Sequence, residues 1–189
     1  MDMGVYHISQ LLYLMDRPKI KTVTGKTYQE MDMDEKRRQI GGFDVEELGV
    51  GFVRFEGGVT MDIIEAWSIH LGGFEGSSVV GNLGGIRFPA QINDTRTPFT
   101  FHSTVCNMDM DATFQLNSAN YRWHQLREDK DSFDSSQNHW IAALQGRVPL
   151  LPTAEIALET MLISEGIYLS DRLEREVAVE EIIRSSINQ

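Results

Sequence analysis

Residues 49–70 read GVGFVRFEGGVTMDIIEAWSIH, and their alternation decides the fold class. Two runs rich in Val, Phe, Ile and Met, Gly49 to Glu56 and Val59 to His70, flank Gly57-Gly58, a pair that can adopt positive φ without a Cβ clash. The stretch is therefore a β-hairpin. Side chains alternate across a strand, so Val59, Met61, Ile63, Trp67 and Ile69 fall on one face of the second strand and suit a core. Thr60, Asp62, Ile64, Ala66, Ser68 and His70 fall on the other. That face is too polar for a core yet carries Ile64 and Ala66, which suits a sheet surface open to solvent or to another subunit.

Outward from the hairpin, Lys19 to Glu30 alternates Ile20, Val23 and Tyr28 with threonines and lysines, as a partly exposed strand does. Met31 to Glu47 is a charged connection. Further strands are expected at Ser78 to Val80, Ile86 to Phe88, Phe99 to Val105, Ala112 to Leu116 and Tyr121 to Leu126, with short turns that favour antiparallel pairing. Helices close both ends. Ile8, Leu11, Leu12 and Met15 recur at helical spacing before Asp16-Arg17-Pro18 stops the run. Near the other end, Asp131 or Ser132 can cap a helix to about Leu144 with Phe133, Trp140, Ile141 and Leu144 inward, and Thr153 can cap a long apolar helix through Leu169. The class is α+β: a mainly antiparallel open sheet with helices on one face, formed by residues 1–189 as a single domain.

Composition narrows the functions. The chain has 189 residues, 41% hydrophobic, a net charge of −11 and a pI near 4.8. Clustered Lys and Arg are what a nucleic-acid backbone requires, so nucleic acid is not the expected partner. The basic residues between Lys36 and Ile40 follow Asp32, Asp34 and Glu35 and read as a solvated helix or loop. No long apolar run suggests a membrane span, and the first residues lack a basic leader region, so a cytoplasmic protein is expected. Cys106 is the single cysteine and reads as a buried strand thiol. His70, His102, His124 and His139 show no paired ligand spacing, so no metal is expected. No Gly-x-Ser-x-Gly elbow occurs. Gly49-Val50-Gly51 and Gly72-Gly73-Phe74-Glu75-Gly76 lack the strand-before, helix-after context of a phosphate loop.

The candidate chemistry lies in the first helix. Asp2 and Tyr6 are four residues apart and share a helical face, with His7 about 100° around from Tyr6. Taken by themselves, Asp2 reads as a capping acid and Tyr6 as a half-buried aromatic.

The pattern Asp2-x-Gly4-x-Tyr6, followed by Ile8, Gln10, Leu12-Tyr13-Leu14 and Pro18, resembles the start of the C-terminal domain of the glucose-fructose oxidoreductase, inositol dehydrogenase and MocA family of NAD(P)-dependent oxidoreductases. The resemblance continues through Gly49 to His70, Gly81-Asn82-Leu83-Gly84-Gly85-Ile86-Arg87 and Arg175-Glu176-Val177-Ala178-Val179, and covers nearly the whole chain. It implies a substrate-binding and oligomerising domain of an enzyme that moves hydride between NAD or NADP and a sugar or polyol. It implies that Asp2 and Tyr6 are catalytic, that Gly4 lets the helix approach the substrate closely, and that His7 borders the substrate. Tyr6 is favoured over His7 as the proton-handling group because the spacing from Asp2 matches both the motif and a helical turn. A phenol of ordinary pKa about 10 acts at neutral pH as a hydrogen-bond donor. The sequence contains neither a Gly-x-Gly-x-x-Gly unit nor a Glu-Lys-Pro triplet, so the chain alone is expected neither to bind the cofactor nor to turn over substrate. Self-association through the open sheet face is implied as well. A non-catalytic sugar- or partner-binding module is the alternative reading.

Overall fold

The structure is a computed structural model that describes residues 4–89, 99–114, 131–133 and 135–187. In chain order the elements are α1 (Gly4–Leu14), β1 (Ile20–Tyr28), α2 (Glu35–Gly41), β2 (Leu48–Phe55), β3 (Thr60–Ala66), β4 (Ser78–Val80), β5 (Gly85–Arg87), β6 (Phe99–Val105), β7 (Met108–Phe114), α3 (Ser136–Leu144), α4 (Thr153–Leu173), β8 (Val177–Ala178) and α5 (Val179–Ile187). The class is α+β with open antiparallel sheets, as the sequence pattern requires. Backbone contacts divide the chain into two compact units, Met1–Gly72 with Thr153–Gln189, and Gly73–Pro152.

In the first unit the sheet order is β3-β2-β1-β8, antiparallel throughout. The hairpin of β2 and β3 closes through Phe55 N donating to Val59 O at 2.9 Å, over a one-turn 3-10 segment Glu56–Gly58 in which Gly57 and Gly58 have φ of 78° and 86°. One sheet face carries Val23, Val53, Phe55, Met61 and Ile63, and packs with Ile163 and Ile167 of α4, Ile8 and Leu12 of α1, Val177 of β8 and Ile182 of α5. Burial of these aliphatic side chains, each worth about 1.5–3 kcal/mol, is the main favourable term. α4 follows its expected start at Thr153 but continues to Leu173, where Glu174 takes a left-handed φ of 54°.

The hairpin's second strand ends at Ala66, and its inward face is shorter than the alternation suggests: Val59 and Trp67 are 39% and 55% exposed. Trp67 lies beyond the last paired strand residue, where its indole N–H donates to Glu46 O at 2.7 Å and its ring meets Phe43 edge-on at 5.7 Å. The connection between β1 and β2 holds α2, capped by Asp34, which accepts from Arg37 N at 2.8 Å.

The second unit contains the antiparallel sheet β4-β5-β6-β7 and α3. Cys106, expected as a buried strand thiol, is instead exposed in the turn between β6 and β7, where it takes a left-handed φ of 52°. The expected strand at Tyr121 to Leu126 lies outside the described residues. The helix begins later than expected, because Ser135 rather than Asp131 or Ser132 caps it, accepting from Asn138 N at 3.1 Å. The inward face also differs from the expected one. His139 and Ala142 are buried, whereas Phe133, Trp140, Ile141 and Leu144 are exposed.

Candidate active site

The first turn of α1 is held by its inward residues. Gly4, Ile8 and Leu12 are buried at successive helical turns, so the helix presents its other faces in a fixed rotation. Tyr6 points away from the core and is 60% exposed. Asp2 lies outside the described residues.

His7 goes elsewhere. Its Nδ1 lies 2.6 Å from Oε1 of Glu65 on β3, and the two side chains keep 26% and 16% of their exposure. Glu65 sits on the same face as Met61 and Ile63, opposite Gly49 in the register of β2 and β3, so no side chain of the facing residue competes for the space above it. The hydrogen bond to the Glu65 carboxylate raises the His7 pKa above its ordinary value; partial burial opposes this, and the attraction of the carboxylate adds to it. Tyr6 and His7 therefore offer different things: a solvent-facing phenol, and a half-buried imidazole oriented by an acid.

Glu65 is the partner of His7 that sequence reasoning passed over. A signal for it existed: in the alternation of β3, position 65 belongs to the apolar face, and an acid on such a face needs a partner. More carboxylates gather at the same end of the hairpin. Glu47 is 2% exposed, and its Oε2 accepts from Glu30 N and Met31 N, both at 2.7 Å, while Oε1 is buried with no hydrogen-bond partner among the described residues. Tyr168 of α4 has its pKa pushed up by burial and by a hydrogen bond to Glu46.

Other candidate chemistry remains apart from α1. An open hollow of 770 Å³ lies at the turn end of the hairpin, lined by Lys21, Thr22, Arg54, Glu56 and Glu180 among others. Glu65 is five residues along β3 from Thr60 at that end, about 17 Å at strand rise, so hollow and imidazole are separate. His139 accepts from Leu151 N at 3.0 Å through Nε2, which ties down the chain after α3. His102 bonds Asp111 at 2.6 Å on an exposed cross-strand pair. His124 lies outside the described residues. Among the described residues no three His, Cys, Asp or Glu side chains converge on a metal position, and no helix is long and apolar enough to cross a membrane.

The sequence pattern of the oxidoreductase family's C-terminal alpha/beta domain matches residues 1–179. The chain belongs to that family. No curated protein matches it. Among solved structures, the NAD-binding oxidoreductase from Klebsiella pneumoniae superposes with a TM-score of 0.65 at 16% identity, over 93% of this chain and 49% of that one. The oxidoreductase from Agrobacterium radiobacter, solved with NAD+, L-tartaric acid and magnesium, gives 0.59 at 18% identity over 95% and 48%. The aldose-aldose oxidoreductase from Caulobacter crescentus, solved with glycerol, gives 0.56 at 17% over 93% and 45%. The chain spans about half the length of each. At these identities the likeness is one of fold, and it agrees with a C-terminal oxidoreductase domain.

Proposed function

We propose that the chain, residues 1–189, is the substrate-binding and oligomerising domain of an NAD(P)-dependent oxidoreductase that acts on CH–OH groups of sugars or polyols, and that it is inactive alone. The observation that carries this reading is the family match over residues 1–179, which includes the Asp2-x-Gly4-x-Tyr6 stretch of sequence. The glycerol and tartaric acid bound by two of the similar proteins support a small polyhydroxylated substrate.

The glycines of β2 do not suit a dinucleotide. Gly49 and Gly51 lie within β2, and Gly51 is packed under Ile167, so neither forms the loop before a helix that a pyrophosphate requires. The chain's share of the work is therefore substrate orientation and proton handling. Tyr6, solvent-facing, donates a hydrogen bond to a substrate oxygen, and Asp2 orients the site. Buried Gly4 lets the helix approach the ligand. His7 borders the ligand. The open sheet face carrying Ile64 joins a second copy, in a cytoplasmic enzyme.

The test uses the 189-residue chain. Titration with NADH and NADPH, read by cofactor fluorescence, is expected to show no saturable micromolar binding. Saturation-transfer NMR against a panel of aldoses, inositols and glycerol is expected to show binding that Tyr6→Phe weakens. Tight cofactor binding, or silence across the whole panel, overturns the reading.

A further inference from the structure

The His7–Glu65 contact joins residues 58 apart in sequence, and both of its ends are held by regular structure. Glu65 is fixed by its register opposite Gly49, and His7 by the buried residues Gly4 and Ile8 on either side of it. We propose that Glu65 is a positioning residue that fixes the proton of His7 on Nδ1 and leaves Nε2 as the nitrogen presented to a substrate oxygen.

An ionised carboxylate only accepts hydrogen bonds, so at 2.6 Å the shared proton belongs to Nδ1. A free imidazole favours the opposite tautomer, with its proton on Nε2. Among the described residues Nε2 has no hydrogen-bond partner, and with 26% of its side chain exposed His7 is reachable from solvent. Neutral His7 then offers an Nε2 lone pair that accepts from a hydroxyl, and protonated His7 offers an N–H that donates to a carbonyl. Those are the two oxygen states of a CH–OH oxidation or its reverse. A carboxylate behind the imidazole selects the tautomer, as acids do behind metal-bound and catalytic histidines. Of the acids on α4, Glu159 is bound by Arg17, just beyond the end of α1, and Glu165 acts on Tyr168. On β3, Glu65 alone acts on the ring.

The role of Nε2 toward substrate rests on the function proposed above, whereas the tautomer and its cause do not. They can therefore fail separately. Imidazole ¹⁵N NMR of the full chain is expected to show His7 as the Nδ1–H tautomer above its titration. Glu65→Gln, which keeps an accepting oxygen but no charge, should hold that tautomer and lower the titration midpoint. Glu65→Ala should lose the tautomer preference. Carbethoxylation by diethyl pyrocarbonate, read by peptide mass spectrometry with exposed His70 as internal reference, should modify His7 several-fold faster at pH 6 in Glu65→Gln than in the wild type. A wild-type Nε2–H tautomer, an Ala variant indistinguishable from wild type, or a His7 that stays unmodified while His70 reacts would each overturn the proposal. Because Glu65→Gln preserves size and hydrogen bonding, it keeps the test available if Glu65→Ala unfolds.

Discussion

Gly25 of β1 and Gly51 of β2 face each other across the strand pair, and both lie beneath Ile167 of α4. A Cβ on Gly51 would stand 2.6 Å from Cδ1 of Ile167, and one on Gly25 would stand 2.7 Å from both Cγ2 of Ile167 and the backbone oxygen of Val50. The pair is what lets the helix approach the sheet and bury Ile167 completely. Overpacking of this kind costs about 1–3 kcal/mol, so Gly25→Ala and Gly51→Ala should each destabilise the domain by that amount. The two should differ on rescue. Ile167→Ala removes the atoms that meet a Cβ on Gly51 and should restore part of the loss, but it leaves the Val50 carbonyl that obstructs Gly25. Urea melts of the single and double variants read this directly.

Asp171 ties the end of α4 to β1. It accepts from Thr27 N at 3.0 Å and Thr27 Oγ1 at 2.6 Å, and pairs with Lys26 Nζ at 2.6 Å. Burial opposes the charged form, yet these donors together hold its pKa below the ordinary carboxylate value. A depressed pKa stabilises the fold above the unfolded-state value and loses that contribution as the pH falls through the folded one. Asp171→Asn should therefore cost about 1 kcal/mol at pH 7. The gap from wild type should narrow below about pH 4, as equilibrium denaturation across pH would show.

The His7 ionisation has the opposite sign. Its pKa is raised in the fold by Glu65, so the stabilisation is fully present below the unfolded-state value of about 6.5 and is lost as the pH rises through the folded value. Glu65→Gln should thus be less stable than the wild type at pH 6 and closer to it at pH 9. An equal gap at both pH values would mean that the pair contributes packing alone.

Across the face of the first sheet turned away from its helices, Ile64 stands opposite Val50 and Asp62 opposite Phe52, with the Arg54 guanidinium 5.1 Å from the Phe52 ring centroid. Ile64 is 51% exposed on this mixed surface. In a two-fold pairing each substitution acts twice. Ile64→Arg should accordingly shift the chain from oligomer toward monomer with its circular dichroism unchanged. Light scattering at matched concentration decides: a monomeric wild type, or a variant of unaltered mass, removes the pairing.

The hairpin, its glycine turn, the strand at Ser78 to Val80 and the long helix from Thr153 were legible in the sequence because each follows from short-range rules: alternation, positive φ and helical spacing. Helix α1 was legible for the same reason, through the spacing of Ile8, Leu11, Leu12 and Met15. Periodicity reports which face a residue occupies but not what lies across from it. Hence Trp67 was assigned to a core that ends before it, and Phe133, Trp140, Ile141 and Leu144 were placed inward although they are exposed. Above all, alternation puts Glu65 on an apolar face without saying why an acid belongs there. Only the packing of α1 against that face supplies the reason, because it brings the imidazole of His7 within 2.6 Å of a carboxylate 58 residues away.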